Sequence, residues 1–283
     1  NKPVLGVLPY LMDLQLAEED AIQASQSLDQ GDIRLRIAVP VFSRISNHTD
    51  FDMLRAHPQV ELTFVRQGQK VPPSDLIILP GSKHVRADLD LLKQHGWDKD
   101  IAKHLRYGGK VLGICGGYQM LGHNIHDPTG IEGTIGSSQG LGYLEINTTL
   151  QIEKQLTHSY GKLLLRAGEQ SNNIEVTVSG YQIHVGNTER EKQAGAFALL
   201  DNIQPGDTQL EGCVSADNQV AGSYLHGMFD SPQALQQIMA WVGADTDEAE
   251  TYVNQQEHEL DRLADACMAH LDWQKIHPLL AIK

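Results

Sequence analysis

Lys110-Val111-Leu112-Gly113-Ile114-Cys115-Gly116-Gly117-Tyr118-Gln119-Met120-Leu121 decides how this chain reads. Val111 to Ile114 is a short apolar run of the kind that forms a buried strand. It ends at Cys115, and a second apolar-periodic segment follows at once. Gly113 to Gly117 therefore matches the G-x-nucleophile-x-G pattern, in which a strand turns sharply into a helix and leaves the nucleophile on the bend. The glycines have a physical cause. A side chain at 113 or 117 would crowd neighbouring backbone, and the tight turn holds the residue between them in a strained conformation. Cys115 would stand at a helix N-terminus, where the macrodipole and free N–H groups favour thiolate over thiol. Two readings follow: an activated nucleophile, or a buried structural cysteine in a Gly-rich turn.

Upstream of this stretch, residues 37–41, 60–65 and 76–79 read as strands, the last ending at Pro80-Gly81-Ser82. A short helix at 51–54 and a helical segment at about 85–107, broken near Gly96, lie between them. Strands alternating with helices, several of them apolar throughout, predict an α/β fold: a mostly parallel central sheet with helices on both faces. Downstream, Gly130 to Gly142 is rich in glycine and serine and predicts loops around a site. Residues 144–149, 174–178 and 181–185 alternate and are β-branched, so they predict strands. Residues 219–225 predict a late strand that delivers His226 at its end. Ser231-Pro232 marks a helix start. A last helix at about 248–271 carries Val253, Leu260, Leu263, Cys267 and Leu271 on one stripe.

The chain has 283 residues, 41% of them apolar and 20% charged, which describes a soluble globular protein with ample core. Its net charge of −14 argues against a nucleic-acid or anionic-membrane partner. The three cysteines, Cys115, Cys213 and Cys267, are widely spaced and imply neither a disulfide framework nor a metal site. A cytoplasmic setting fits them. No apolar run approaches the roughly 18 residues of a membrane span. The start, Asn1-Lys2-Pro3, lacks methionine, and residues 4–10 already read as a strand running into a loop, so a piece of a longer or processed polypeptide is expected. Residues 1–33 read as the C-terminal remnant and linker of an upstream domain, 34–245 as the main domain, and 246–283 as a helical extension.

A cysteine nucleophile needs a base that can hold the thiolate and protonate a leaving group, and histidine suits both tasks. Of the 13 histidines, His226 stands out because it follows an apolar strand and precedes Gly227. It can reach the carboxyl edge of the sheet, where sites in α/β folds lie; otherwise it is a surface loop histidine. A tetrahedral intermediate needs preorganised N–H donors. Gly116, next after the cysteine, is one candidate. Gly81-Ser82 is a second, or else a plain strand-to-helix turn. Gln119, on the helix after Cys115, either contacts a polar substrate or is solvated.

Three segments now carry a resemblance. Leu79-Pro80-Gly81-Ser82-Lys83, Gly113-Ile114-Cys115-Gly116-Gly117-Tyr118-Gln119 and Tyr224-Leu225-His226-Gly227 occur in the order and spacing of class I, triad-type glutamine amidotransferases, which are flavodoxin-like. Three more segments narrow it: Gly6-Val7-Leu8-Pro9-Tyr10 with Glu18-Glu19-Asp20; Gly180-Tyr181-Gln182-Ile183-His184-Val185-Gly186; and Leu225-His226-Gly227-Met228-Phe229-Asp230. Over residues 4–245 the chain resembles the cobyric acid synthases.

This resemblance implies Cys115 as nucleophile and His226 as base. It implies Gly116 with Gly81 or Ser82 as oxyanion donors, and a family motif of unassigned role at Tyr181 and His184. It further implies glutamine as substrate, with ammonia delivered to an upstream ATP-binding domain of the same polypeptide. That domain, with ATP and Mg, would amidate carboxylates of a corrin, adenosylcobyrinic acid a,c-diamide. The glutaminase portion itself would need neither cofactor nor metal. One departure stands out. The wider class places glutamate two residues after the histidine, and here that residue is Met228, so a carboxylate from elsewhere orients the base (Asp230 is nearest in sequence) or Cys and His act as a dyad. The alternatives to a cobyric acid synthase are a related amidotransferase acting on cobyrinic acid a,c-diamide or a cell-wall precursor, and a catalytically silent docking domain.

Overall fold

The computed structural model describes residues 3–11, 33–43, 45–167, 175–201, 208–244, 246 and 250–279. The chain forms two compact units: residues 21–249, and residues 1–20 together with 250–283. In the larger unit the chain runs through β1 (Leu35–Pro40), β2 (Ile45–Ser46), a 3-10 turn (His48–Phe51), α1 (Asp52–Ala56), β3 (Val60–Val65) and β4 (Leu76–Leu79). Then come β5 (Gly81–Ser82), α2 (Val85–Gln94), α3 (Trp97–Arg106), β6 (Lys110–Ile114), α4 (Gly116–Leu121), β7 (Asn124–Asp127) and β8 (Gly136–Gln139). It continues with β9 (Ile146–Leu163), β10 (Val176–Arg190), β11 (Ala198–Asp201), β12 (Thr208–Glu211), β13 (Cys213–Val214) and β14 (Val220–Ser223). β15 (Leu225–His226), a second 3-10 turn (Met228–Asp230) and α5 (Pro232–Val242) complete it.

A six-stranded sheet, ordered β13-β14-β6-β4-β1-β3, carries the core. All of its pairings are parallel except β13 with β14. The apolar content of the central strands follows from burial on both faces: every residue of β4 and β14 is buried. The helices contribute Leu89, Leu92, Trp97, Ile101, Leu235 and Ile238, all withdrawn from water. In the parallel register Leu79 stands beside Gly113, and Gly113 beside Gly222. The residues that follow β4, β6 and β14 therefore emerge at one carboxyl edge, which is where an open α/β sheet presents a site.

The second sheet is antiparallel along β12-β11-β9-β10-β15, with β7 parallel beside β9 and β8 beside β7. Its longest pair is the β9–β10 hairpin. Between Val185, opposite Lys154, and Asn187, opposite Thr149, the register jumps, so residues 150–153 face Gly186 alone. Gly186 has φ +126°, a conformation that favours glycine. This bulge bends the hairpin, as such insertions do.

Several sequence expectations change here. The two strands expected at 174–178 and 181–185 are one continuous strand. Gly180 does not break it; the missing side chain lets the carbonyl of His226 come close. The strand expected at 219–225 splits at Tyr224, and β15 joins the second sheet rather than the first. The glycine- and serine-rich stretch 130–142 contains β8 as well as loops. Residues 3–11 hold no strand, only a one-residue bridge between Gly6 and Leu271 supported by Asp272 N–H on the Leu5 carbonyl at 2.7 Å. In the same unit, α6 (Glu250–His270) exposes Leu260 from the expected apolar stripe and buries Glu259, whose carboxylate pairs with Arg262. The part of the acidic and polar tract at 12–32 lies outside the described residues.

The elbow has no room for side chains. A methyl group at Gly117 would collide with the Leu79 carbonyl, and one at Gly113 would stand 2.6 Å from a Leu121 methyl and 2.7 Å from the Gly117 carbonyl. We expect Gly117→Ala to lower the unfolding free energy by about 1–3 kcal/mol, the usual cost of overpacking. Chemical denaturation checks this; an unchanged midpoint would contradict the packing described.

Candidate active site

Cys115 sits between β6 and α4 with φ +52° and ψ −107°, a conformation that side chains larger than glycine rarely adopt. Its N–H donates to the Ser223 carbonyl at 2.8 Å, and its carbonyl accepts the Gln119 N–H at 3.1 Å. These bonds and the close glycine contacts fix the bend. The sulfur is largely buried and lies 3.5 Å from the Ile183 carbonyl of β10. A structural cysteine in a Gly-rich turn would not require this backbone.

His226 enters from the second sheet, paired with Tyr181 across β10 and β15. It is fully buried, not a surface loop histidine. Its Nδ1 is 2.7 Å from Oδ2 of Asp50, and the other carboxylate oxygen of Asp50 accepts the Gly227 N–H at 3.0 Å. Among the described residues no oxygen or nitrogen engages Nε2, which is buried. Burial opposes charge on this imidazole, but Asp50 and then Cys115 outweigh it, and the pKa is pushed up to about 10. A charged imidazole beside the sulfur can give a proton to a leaving group. The Tyr181 ring stacks on His226 with centroids 5.4 Å apart, so the imidazole plane is held from a second side.

The carboxylate that the sequence left open is therefore Asp50, 176 residues away in the chain. It stands in the 3-10 turn before α1 and is itself buried. Nothing local in Asn47-His48-Thr49-Asp50-Phe51 marks it; the sole signal was the absence of glutamate at position 228. Met228 is core. Asp230, the nearest acid in sequence, is not the partner of His226. Burial, then Asp50 and Asp52, push its pKa up to about 6.

Gly81 lies beside His226, and Ser82 beside Gly116. A methyl group at Gly81 would lie 3.4 Å from Cε1 of His226, and one at Gly116 would lie 2.8 Å from the Ser82 nitrogen. The Ser82 hydroxyl donates to Asp88 at 2.6 Å and accepts the His84 N–H at 3.0 Å, so its side chain is occupied by structure. What this turn can offer a substrate is backbone. Gln119 is buried, not solvated. Its Nε2 donates to the Tyr224 hydroxyl at 2.9 Å, while its Oε1 is buried without a partner among the described residues. His184 does not join the cysteine. It stacks on Tyr224 at 3.7 Å and its Nδ1 bonds the Gly186 carbonyl at 3.0 Å. Burial lowers its pKa, and nearby His226 adds to that. Among the described residues no cluster of three or more His, Cys, Asp or Glu side chains could hold a metal ion, and no helix is long and apolar enough to cross a membrane.

A buried carboxylate–imidazole pair beside an elbow cysteine, with backbone crowded round the same point, is the constellation of a thiol-dependent acyl-transfer enzyme. The fold agrees with this class. The structure of PurLQS from Thermotoga maritima superposes with a TM-score of 0.54 at 16% identity, covering 74% of this chain and 100% of that one. A crystal structure of a glutamine amidotransferase gives 0.50 at 15% identity, covering 74% and 99%. At such identities the likeness is one of fold. The family is shown by sequence: residues 36–234 match the CobB/CobQ-like glutamine amidotransferase domain, and the chain belongs to that family.

Replacing Asp50 by Asn should leave the ring in place but remove the charge that raises its pKa. We expect glutamine hydrolysis to fall about 10²–10⁴-fold, the range associated with acid–base groups. Stability should change as well. A histidine raised from 6.5 to about 10 adds stability that is fully present below pH 6.5 and lost as pH rises through 10. The Asn variant should lose most of that slope in denaturation profiles between pH 6.5 and 10. Wild-type turnover with an unchanged slope would remove Asp50 from the site.

Proposed function

We propose that this domain is the glutaminase portion of a cobyric acid synthase, releasing ammonia from glutamine for amidation of corrin-ring carboxylates. The observation that carries the glutaminase chemistry is the strained Cys115 beside a His226 held charged by Asp50. In the proposed reaction the Cys115 thiolate attacks the carboxamide carbon of glutamine. Negative charge develops on the carbonyl oxygen, and the N–H of Gly116 with the backbone of Gly81-Ser82 meets it. His226 gives its proton to the departing nitrogen, the C–N bond breaks, and ammonia leaves a glutamyl thioester. Water, losing its proton to the same imidazole, then attacks the thioester carbon; the C–S bond breaks, and glutamate and free Cys115 remain.

The corrin assignment is supported by the segment Gly180 to Gly186 and by Leu225 to Asp230, which resemble the cobyric acid synthases. Tyr181 and His184 take positions in that reading. Tyr181 packs the catalytic imidazole, and His184 packs Tyr224, so both build the glutamine site from β10. ATP and Mg would act in a synthase domain upstream. This domain's own residues would supply only ammonia.

Two measurements test the proposal. Cys115→Ser should lower ammonia release from glutamine by at least about 10³-fold, since the nucleophile acts as part of a unit; full release would disprove the thioester route. Supplied with a synthase domain, ATP and adenosylcobyrinic acid a,c-diamide, the wild-type domain should transfer ¹⁵N from amide-labelled glutamine to the corrin, read by mass spectrometry. Ammonia release with no label on the corrin, but label on another carboxylate, would move the chain to a related amidotransferase.

A further inference from the structure

Another buried carboxyl group, Glu211, is linked to the nucleophile through Ser223, and the reaction above does not use it. Glu211 ends β12, in the second sheet, while β13 two residues on belongs to the first. Gly212, at φ +69°, makes this crossing possible. A methyl group there would collide with the Gly222 carbonyl. The crossing buries the Glu211 side chain against the end of β14. One carboxyl oxygen accepts the Ser223 hydroxyl at 2.7 Å and the other accepts the Tyr224 N–H at 2.7 Å. Among the described residues no cation forms an ion pair with it.

Each bond leads to the site. The Ser223 hydroxyl oxygen accepts the Leu225 N–H at 2.9 Å, and the Ser223 carbonyl accepts the N–H of Cys115 at 2.8 Å. Tyr224 stacks on His184, meets Tyr118 edge-on at 5.2 Å, and bonds Gln119 through its hydroxyl. His226 follows two residues later. Both carboxyl oxygens act as acceptors, which an amide of the same shape cannot reproduce. A buried carboxyl without a cation is costly.

Resting on the amidotransferase reading, we propose that Glu211 is a positioning residue, whose carboxyl holds Ser223 to Leu225 so that Cys115 and His226 keep their alignment. The ionised form makes both bonds as acceptor; protonation occupies one oxygen and loosens the hold. Burial, against the pull of the Tyr224 N–H and then the Ser223 hydroxyl, pushes its pKa up to about 7. The other ionisable groups around that corner are Tyr118 on α4, Tyr224, Cys213 on β13 with Glu145 beside it, Arg190 on β10, and His184, stacked on Tyr224, whose pKa burial and then His226 hold below its ordinary value. Burial pushes both phenols far up and Cys213 up to about 11, and an arginine stays charged, so these four keep their charge through neutrality; a step owed to His184 would persist in Glu211→Gln.

The experiment compares wild type with Glu211→Gln between pH 5 and 9 in two ways: ammonia release from glutamine, and alkylation of Cys115 by iodoacetamide, followed by peptide mass spectrometry. In wild type both rates should show a step near pH 7 that the Gln variant lacks. The variant's kcat should fall about tenfold with KM within about twofold, as expected for misalignment rather than lost binding. If the Gln variant does not fold, Ser223→Ala removes one of the two donors and should move the step to higher pH. A wild-type profile without the step, a folded Gln variant that keeps it, or a Ser223→Ala step that does not move would each overturn the proposal. Alkylation needs no turnover. Loss of ammonia release in all proteins with the alkylation step intact would therefore count against the glutaminase reading and not against Glu211.

Discussion

The hydrogen bond from the buried imidazole of His226 to Asp50 is the interaction on which the site depends. Neither partner would be stable alone in that place. An isolated buried carboxylate or imidazolium pays a large desolvation cost, and together each satisfies the other. Asp50 uses its second oxygen on the Gly227 N–H, so one side chain fixes both the ring and the turn that carries it. Separate elements deliver the partners. Asp50 comes from a turn after β1 of the parallel sheet, and His226 from β15, anchored to β10 of the antiparallel one.

That convergence explains the rest of the architecture around the cysteine. β6 and β14 run in parallel register, so Cys115 can give its N–H to Ser223, three residues before β15 ends in His226. β10 places the Ile183 carbonyl near the sulfur and the Tyr181 ring on the imidazole. The bulge at Gly186 bends the hairpin where it passes Gln119: a methyl group at Gly186 would stand 3.3 Å from the Gln119 amide nitrogen. Strain at Cys115 is therefore held by β14, β10 and the packed glycines of the elbow, as a site that stores backbone strain requires.

The sequence made some of this legible and hid the rest for physical reasons. The elbow could be read because its constraint is local: Gly113, Cys115 and Gly117 answer to contacts within one turn. His226 could be read because a strand end and a following glycine frame it. The strand at 76–79 could be read from its unbroken apolar run, and that at 60–65 from its alternation, which fits an edge strand with one wetter face. Asp50 could not, because its partner lies 176 residues away and its own neighbours show only an ordinary helix entry. Met228 gave half the answer by showing where the carboxylate was not. The long hairpin was hidden by Gly180 and Gly186, which look like breaks and are instead close approaches. Glu211 was hidden for a similar reason, since Glu211-Gly212 reads as a turn when nothing shows what the carboxyl touches.

The central claim is that Asp50 keeps His226 charged beside Cys115 at neutral pH. The most direct measurement is a ¹⁵N NMR titration of the His226 side chain in the wild-type domain. A protonated ring through neutrality, titrating near pH 10 with Nδ1–H locked in its hydrogen bond, is the predicted result. A ring that titrates near its ordinary value of 6.5 would contradict the account.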